Sequence, residues 1–158
     1  MTETPERVGI RGDVLIEHRN AAGELLHREE GHNLVVDAGF DWLSAQIGGT
    51  ALAVSMGWIA VSPNLVAVDP TDTLLTDEYT DDGMLRAVAA YAHVAGTKVL
   101  TLSKTFTKGA GAAKVAGKTA LFNQLAVGGT MLAAYLIASP PTLLSTDTLA
   151  VTWTITLS

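Results

Sequence analysis

The sequence predicts an all-β protein, and three observations carry that expectation. From Leu149 the large apolar residues fall on every second position (Leu149, Val151, Trp153, Ile155, Leu157), with Thr148, Thr152, Thr154 and Thr156 in the other phase. A period of two puts one set on each face of a sheet, and β-branched and aromatic residues suit such a half-buried surface. Second, short apolar runs recur between turn-forming residues along the chain, the pattern of a sandwich or barrel. Third, only one stretch has helical spacing: Val36, Phe40, Leu43 and Ile47 are four, three and four residues apart.

Residues 1–6 read as a flexible arm, and residues 7–158 as one β domain. Val8, Ile10, Val14 and Ile16 share a phase, as in a strand with Gly12 as a bulge. Asn20 to Gly23 is a turn, and Leu25 to Arg28 returns as the second strand of a hairpin. The helix follows, with Asp37 as cap or first-turn acid, Trp42 on its core face and Gly48-Gly49 as its stop. Met56 to Val61 is a short strand. Ser62 to Asp82 is a loop rich in Pro, Asp and Thr. Leu85–His93 and Thr97–Thr107 form an antiparallel pair turned at Ala95-Gly96. Val115 to Phe122 is a further strand, Gly128-Gly129 a turn, and Met131 to Ala138 the strand before the last.

At 158 residues the chain fits one domain, with or without an arm. Apolar residues make up 48% and charged residues only 16%, with a mean hydropathy of +0.30; about 25% charged is usual. No apolar run approaches the roughly 18 residues of a membrane span. The acidic, polar N-terminus is unlike a secretory signal. So sparsely charged a chain is expected to hide apolar surface between subunits, as a homo-oligomer. A net charge of −6 argues against a basic groove for nucleic acid. The absence of cysteine removes disulfides, thiolate nucleophiles and Cys-based zinc sites.

Candidate chemistry is sparse. Ala112 to Thr119 satisfies a permissive phosphate-loop pattern ending in Gly117-Lys118-Thr119. A true site needs a strand running into the loop and a helix opening at Lys-Thr. The preceding strand ends near Thr107, several residues too early, so a β connection is the stronger reading. His18, His27, His32 and His93 follow no strong metal-ligand spacing. Asp69, Asp72, Asp77, Glu78, Asp81 and Asp82 could offer oxygen ligands to calcium, but without the EF-hand spacing. No nucleophile elbow or His-Glu-x-x-His is present, so neither enzyme nor cofactor is expected. Trp153, like Leu149, Val151 and Ile155, sits on a core face; Trp58 is open to a contact role.

The order of motifs resembles that of small virion proteins of tailed bacteriophages: head decoration (cement), head-fibre and tail-fibre proteins. The run is Asn33-Leu-Val-Val-Asp-Ala-Gly39 before the helix, Trp58-Ile-Ala-Val61, Thr73 to Glu78 with Arg86, and Thr105-Phe-Thr107. Ala120-Leu-Phe-Asn123, Gly129-Thr-Met-Leu-Ala133 and Asp147 to Thr156 complete it. The resemblance covers roughly residues 30–158. This chain departs from it in having Lys118 and Ala120 where the family often has an acid and Gly before Leu-Phe-Asn.

The resemblance implies a β-sandwich of jelly-roll type with one short helix and no active site. It also implies a capsid decoration protein on the exterior of the virion head, a homotrimer whose partner is the major capsid protein. The alternative is a tail-fibre or baseplate component contacting a host glycan. The arm Met1, Thr2, Glu3, Thr4, Pro5 and Glu6, together with Trp58, is the expected interface. Neither nucleic acid nor membrane is an expected partner.

Overall fold

A computed structural model describes residues 9–47, 55–124 and 129–157. The expected arm at residues 1–6, Val8, the helix stop at Gly48-Gly49 and Gly128 lie outside the described residues. The protein is mostly β, and every strand pair is antiparallel. In chain order the elements are β1 (Ile10–Arg19), β2 (Leu25–His32), β3 (Leu34–Val35), α1 (Asp37–Ile47), β4 (Trp58–Ser62), β5 (Ala87–Val88) and β6 (Ala90–His93). They continue as β7 (Val99–Thr107), β8 (Lys114–Val115), β9 (Lys118–Phe122), β10 (Met131–Leu136), β11 (Thr142–Leu143) and β12 (Thr148–Leu157).

The C-terminal alternation becomes the centre of a five-stranded sheet ordered β2-β1-β12-β7-β6. Leu149, Val151, Trp153 and Ile155 are buried, and Leu157, on the same face, emerges at the end of the strand. β1 lies along β12 in unbroken register from Ile10 opposite Leu157 to Arg19 opposite Thr148. Gly12 is therefore not a bulge; the register shift falls between His18 and Arg19, against β2. A Cβ on Gly12 would sit 2.0 Å from Asn33 Oδ1, so this glycine makes room for the asparagine side chain.

The second sheet, also five-stranded, runs β3-β10-β9-β4-β5; β11 and β8 pair separately. One core cluster joins the two large sheets: Val14, Ile16, Phe106 and Trp153 meet Ile59, Val61, Leu121 and Tyr135. A second cluster lies on the far face of β9 and β10, where Val36 and Leu75 cover Ala60, Phe122, Met131 and Ala134. With cover on both faces, β9 is buried along its whole length and β10 nearly so.

Three expected elements differ. Leu85–His93 is not one strand: β5 pairs β4 in one sheet, β6 pairs β7 in the other, and the Ala89 amide bonds Gly57 O where the chain crosses. Val115–Phe122 divides at Gly117, whose amide donates to Ser62 O. Of the expected helix face, Val36 is buried and Leu43 packs against the core, but the inward face is rotated away from Phe40 and Ile47. Its buried residue is Gly39, while Phe40 is 48% and Ile47 88% exposed. A Cβ on Gly39 would lie 2.2 Å from Leu132 O, so the helix backbone rests directly on a bulge of β10. This close approach sends Trp42 and Leu43 toward the core edge and turns Phe40 outward. Trp42, expected in the core, is only half-buried there.

Candidate interface and the fixed polar groups

The acidic residues of the 62–82 loop are close in sequence but are used separately. Asp69 Oδ1 accepts the Thr71 amide at 2.9 Å, and Asp72 Oδ2 accepts the Asp69 amide at 2.9 Å. Asn64 donates to Asp77 at 3.2 Å, Lys114 to Asp81 at 2.7 Å, and Lys108 pairs with Asp82. Among the described residues no group of three or more His, Asp or Glu could hold a metal ion.

Glu78 and Arg86, separate motif positions in sequence, meet as a two-pronged pair. Arg86 Nε donates to Glu78 Oε1 at 2.8 Å and Nη2 to Oε2 at 2.5 Å. Nη1 reaches Gln124 O at 3.1 Å, and the guanidinium lies 3.5 Å over the Phe122 ring. The planar fork suits this task, which a lysine could not match. It holds the 73–86 segment against the end of β9. Asn123 closes the hairpin from β9 to β10, its Oδ1 accepting the Thr130 amide at 2.8 Å.

Each histidine faces an acid or a carbonyl. His18 Nε2 donates to Asp147 Oδ2 at 2.8 Å, in a pair almost entirely buried. His32 pairs with Asp13 on the surface, and His93 Nδ1 donates to Val99 O at 2.8 Å. His27 Nε2 stands 3.5 Å from Glu29 Oε2 without hydrogen-bond geometry. Glu29 is a hub between the sheets: it accepts the Tyr135 hydroxyl and the amides of Ala138 at 2.6 Å and Ser139 at 2.9 Å. Burial works to raise its pKa, but those donors win and hold it below the ordinary value. Burial, then the same carboxylate, pushes the Tyr135 phenol up.

Lys108 is fully buried. Its ammonium donates to Gly109 O and Gly111 O at 3.0 Å each and pairs with Asp82. Lysines this deep persist only when paired and hydrogen-bonded. Lys108 belongs to no recognisable motif, and nothing in the spacing of His18 points to Asp147, so neither partner could be read from the sequence.

At Gly117-Lys118-Thr119 a strand, β9, opens where a phosphate loop would need a helix. Lys118 is buried in it, and the Thr119 hydroxyl donates to Ala60 O at 2.9 Å. Trp58 is half-buried on the second core cluster, opposite Val88 and Phe122. Tyr79 donates its hydroxyl to Val115 O at 2.9 Å, and the Lys114 ammonium lies 4.3 Å from its ring centre.

Several large apolar side chains also remain exposed. Phe40 and Ile47 stand out from α1, Tyr91 and Val94 from the β6–β7 hairpin, and Leu65, Val66 and Leu74 from the long loop. An apolar groove of about 300 Å³ runs between helix and hairpin, with Trp42 and Leu43 on one side and Tyr91, Leu100, Ile155 and Leu157 among the rest of its lining. No helix among the described residues is long and apolar enough to cross a membrane. No family profile, curated protein or solved structure matches the chain.

Proposed function

We propose that this is a structural virion protein, a capsid decoration protein that binds the outside of a phage head as a homotrimer and bridges neighbouring coat subunits. One observation carries the reading. The buried charged side chains His18, Arg86 and Lys108 are each held by an internal carboxylate, whereas large apolar side chains stand exposed on the helix, the hairpin and the long loop. Such a surface is suited to assembly. The motif order, which resembles that of small phage virion proteins, points the same way.

We read the architecture as a β-sandwich, because one core cluster draws on both large sheets. The pairing of the first strand with the last suits a jelly roll. The hairpins β6–β7 and β9–β10, adjacent in sequence and in their sheets, do not require one.

A decoration protein stabilises a shell because it binds only the assembled lattice, and mass action then favours that lattice. Apolar burial of about 25 cal/mol per Å² supplies the affinity. The glycan-binding alternative has less support: Trp58 packs inward and Lys114 lies against the Tyr79 ring. The test is co-sedimentation of purified protein with heads stripped of it, with a thermal challenge of the reloaded heads. Binding with raised heat resistance is expected. Failure to bind heads, together with labelling at the tail tip, replaces this reading with the tail-fibre one.

A further inference from the structure

The helix carries an apolar stripe that no other described residue covers. Asp37, Phe40, Asp41, Ser44 and Ile47 are all exposed, and their spacing of three and four residues places them on one face. Gly39, Trp42 and Leu43 make the inward face instead. A helix in a water-soluble subunit does not need Phe and Ile on its outer side, and an exposure of 88% at Ile47 leaves that side chain almost no contact.

Across the apolar groove stands the β6–β7 hairpin. Every residue of β6 and of the turn after it is exposed, with Tyr91 at 63% and Val94 at 69%. β6 is also an edge strand, with a partner on one side only. The two surfaces differ in charge. Asp37 and Asp41 flank the helix stripe, and Lys98 stands on the hairpin turn; none of the three has an ion pair among the described residues.

We propose that the exposed α1 stripe docks on the β6–β7 hairpin of a second copy of this chain, Phe40 and Ile47 packing against Tyr91 and Val94, with Asp41 facing Lys98. This rests on the assembly reading and names the contact within it. The apolar pairs supply burial, and the opposite charges fix orientation and exclude the reversed docking. Each subunit offers one helix and one hairpin, so the contact is heterologous. Repeated by rotation it closes into a ring and gives every subunit two such contacts, as a trimer requires. The 11-residue helix is about 16 Å long. One such contact is therefore smaller than the roughly 800 Å² per partner of a standard interface, and ring closure makes the assembly persist.

The experiment is sedimentation of the full-length protein over a dilution series, with circular dichroism as the check on folding. Wild type should form a closed oligomer. Asp41→Lys and Lys98→Glu should each weaken assembly by about tenfold or more, because each sets like charges together. The double variant, with both charges exchanged, should recover it, an outcome that misfolding cannot produce. A monomeric wild type, an oligomer indifferent to both single reversals, or a double variant no better than the singles would overturn the contact. Head binding is scored apart: an oligomer that responds as described yet ignores stripped heads upholds this contact and removes the decoration reading.

Discussion

His18 Nε2 donates to Asp147 Oδ2 at 2.8 Å across 129 positions of sequence, with both side chains almost fully buried. The bond ties the end of β1 to the turn that starts β12. Asp147 also accepts the Leu144 amide at 2.9 Å through the same oxygen, and its carbonyl accepts the Lys108 amide at 2.9 Å. Lys108 in turn holds Asp82. One end of the first sheet is thus closed by the buried His18–Asp147 hydrogen bond and the Lys108–Asp82 ion pair, linked through the backbone of Lys108 and Asp147.

These pairs predict an acid transition. The Leu144 amide, with help from His18 and against the cost of burial, holds the Asp147 carboxyl below its ordinary value; Lys108 does the same for Asp82. A carboxyl whose pKa is depressed by folding contributes stability above its unfolded value, near pH 4, and loses it as pH falls through the folded value. Stability should therefore decline below about pH 4. Asp147→Asn should be less stable than wild type at neutral pH, and the gap should narrow in acid. Urea melts at neutral pH and about pH 3 measure this; a gap of constant size would show that Asp147 carries no such linkage.

Trp153 is fully buried at the centre of β12, and its indole N–H has no hydrogen-bond partner among the described residues. Trp153→Ala should cost about 3–5 kcal/mol through the cavity it leaves. Trp153→Phe keeps most of the apolar contact and deletes an unpaired donor, so it should cost markedly less. Thermal melts of the two variants give the comparison. An alanine variant melting within a degree or two of wild type would contradict the central place of this side chain.

The sheet faces were legible where one side meets water. β1, β7 and β12 alternate because one face packs and the other is solvated, and their phases could be read directly. In β9 and β10 the outer face is covered by the long loop and the start of α1, so burial is near-continuous and no alternation marks a face. The crossing at Ala89 was hidden because the 85–93 stretch is continuous in character while its two halves join different sheets. On the helix, apolar spacing selected Phe40 and Ile47, but backbone contact selected Gly39. The smallest side chain marked the packed face, and periodicity of large residues does not register it. His18 and Lys108 had no local signal, since their partners come from distant turns.

Lys118 lies in a strand with its backbone between Ser62 and Leu136, so no loop is free to wrap a phosphate. Wild type should therefore show no saturable Mg²⁺-dependent ATP binding, and Lys118→Ala should change nothing in that assay. Equilibrium binding by fluorescence or calorimetry decides it. Binding that vanishes in the variant would return the chain to nucleotide chemistry.

Gly39 places α1 by letting the helix backbone meet β10 without a side chain between them. A Cβ there would lie 2.2 Å from Leu132 O and 2.8 Å from Leu132 Cα, and these are backbone atoms of a strand paired on both sides. Leu132 sits at the bulge of β10 and its carbonyl accepts the Val36 amide at 3.1 Å, so it cannot yield without losing that bond, and the helix must lift. Gly39→Val should therefore cost at least about 2 kcal/mol, despite the better helix propensity of valine over glycine. The same lift would move the stripe of Phe40, Asp41 and Ile47 away from its docking position. Assembly should then weaken even under conditions where circular dichroism shows the sheets intact. The measurement pairs a thermal melt with sedimentation of Gly39→Ala and Gly39→Val. Melting temperatures matching wild type in both variants would mean that α1 does not rest on Leu132 as described.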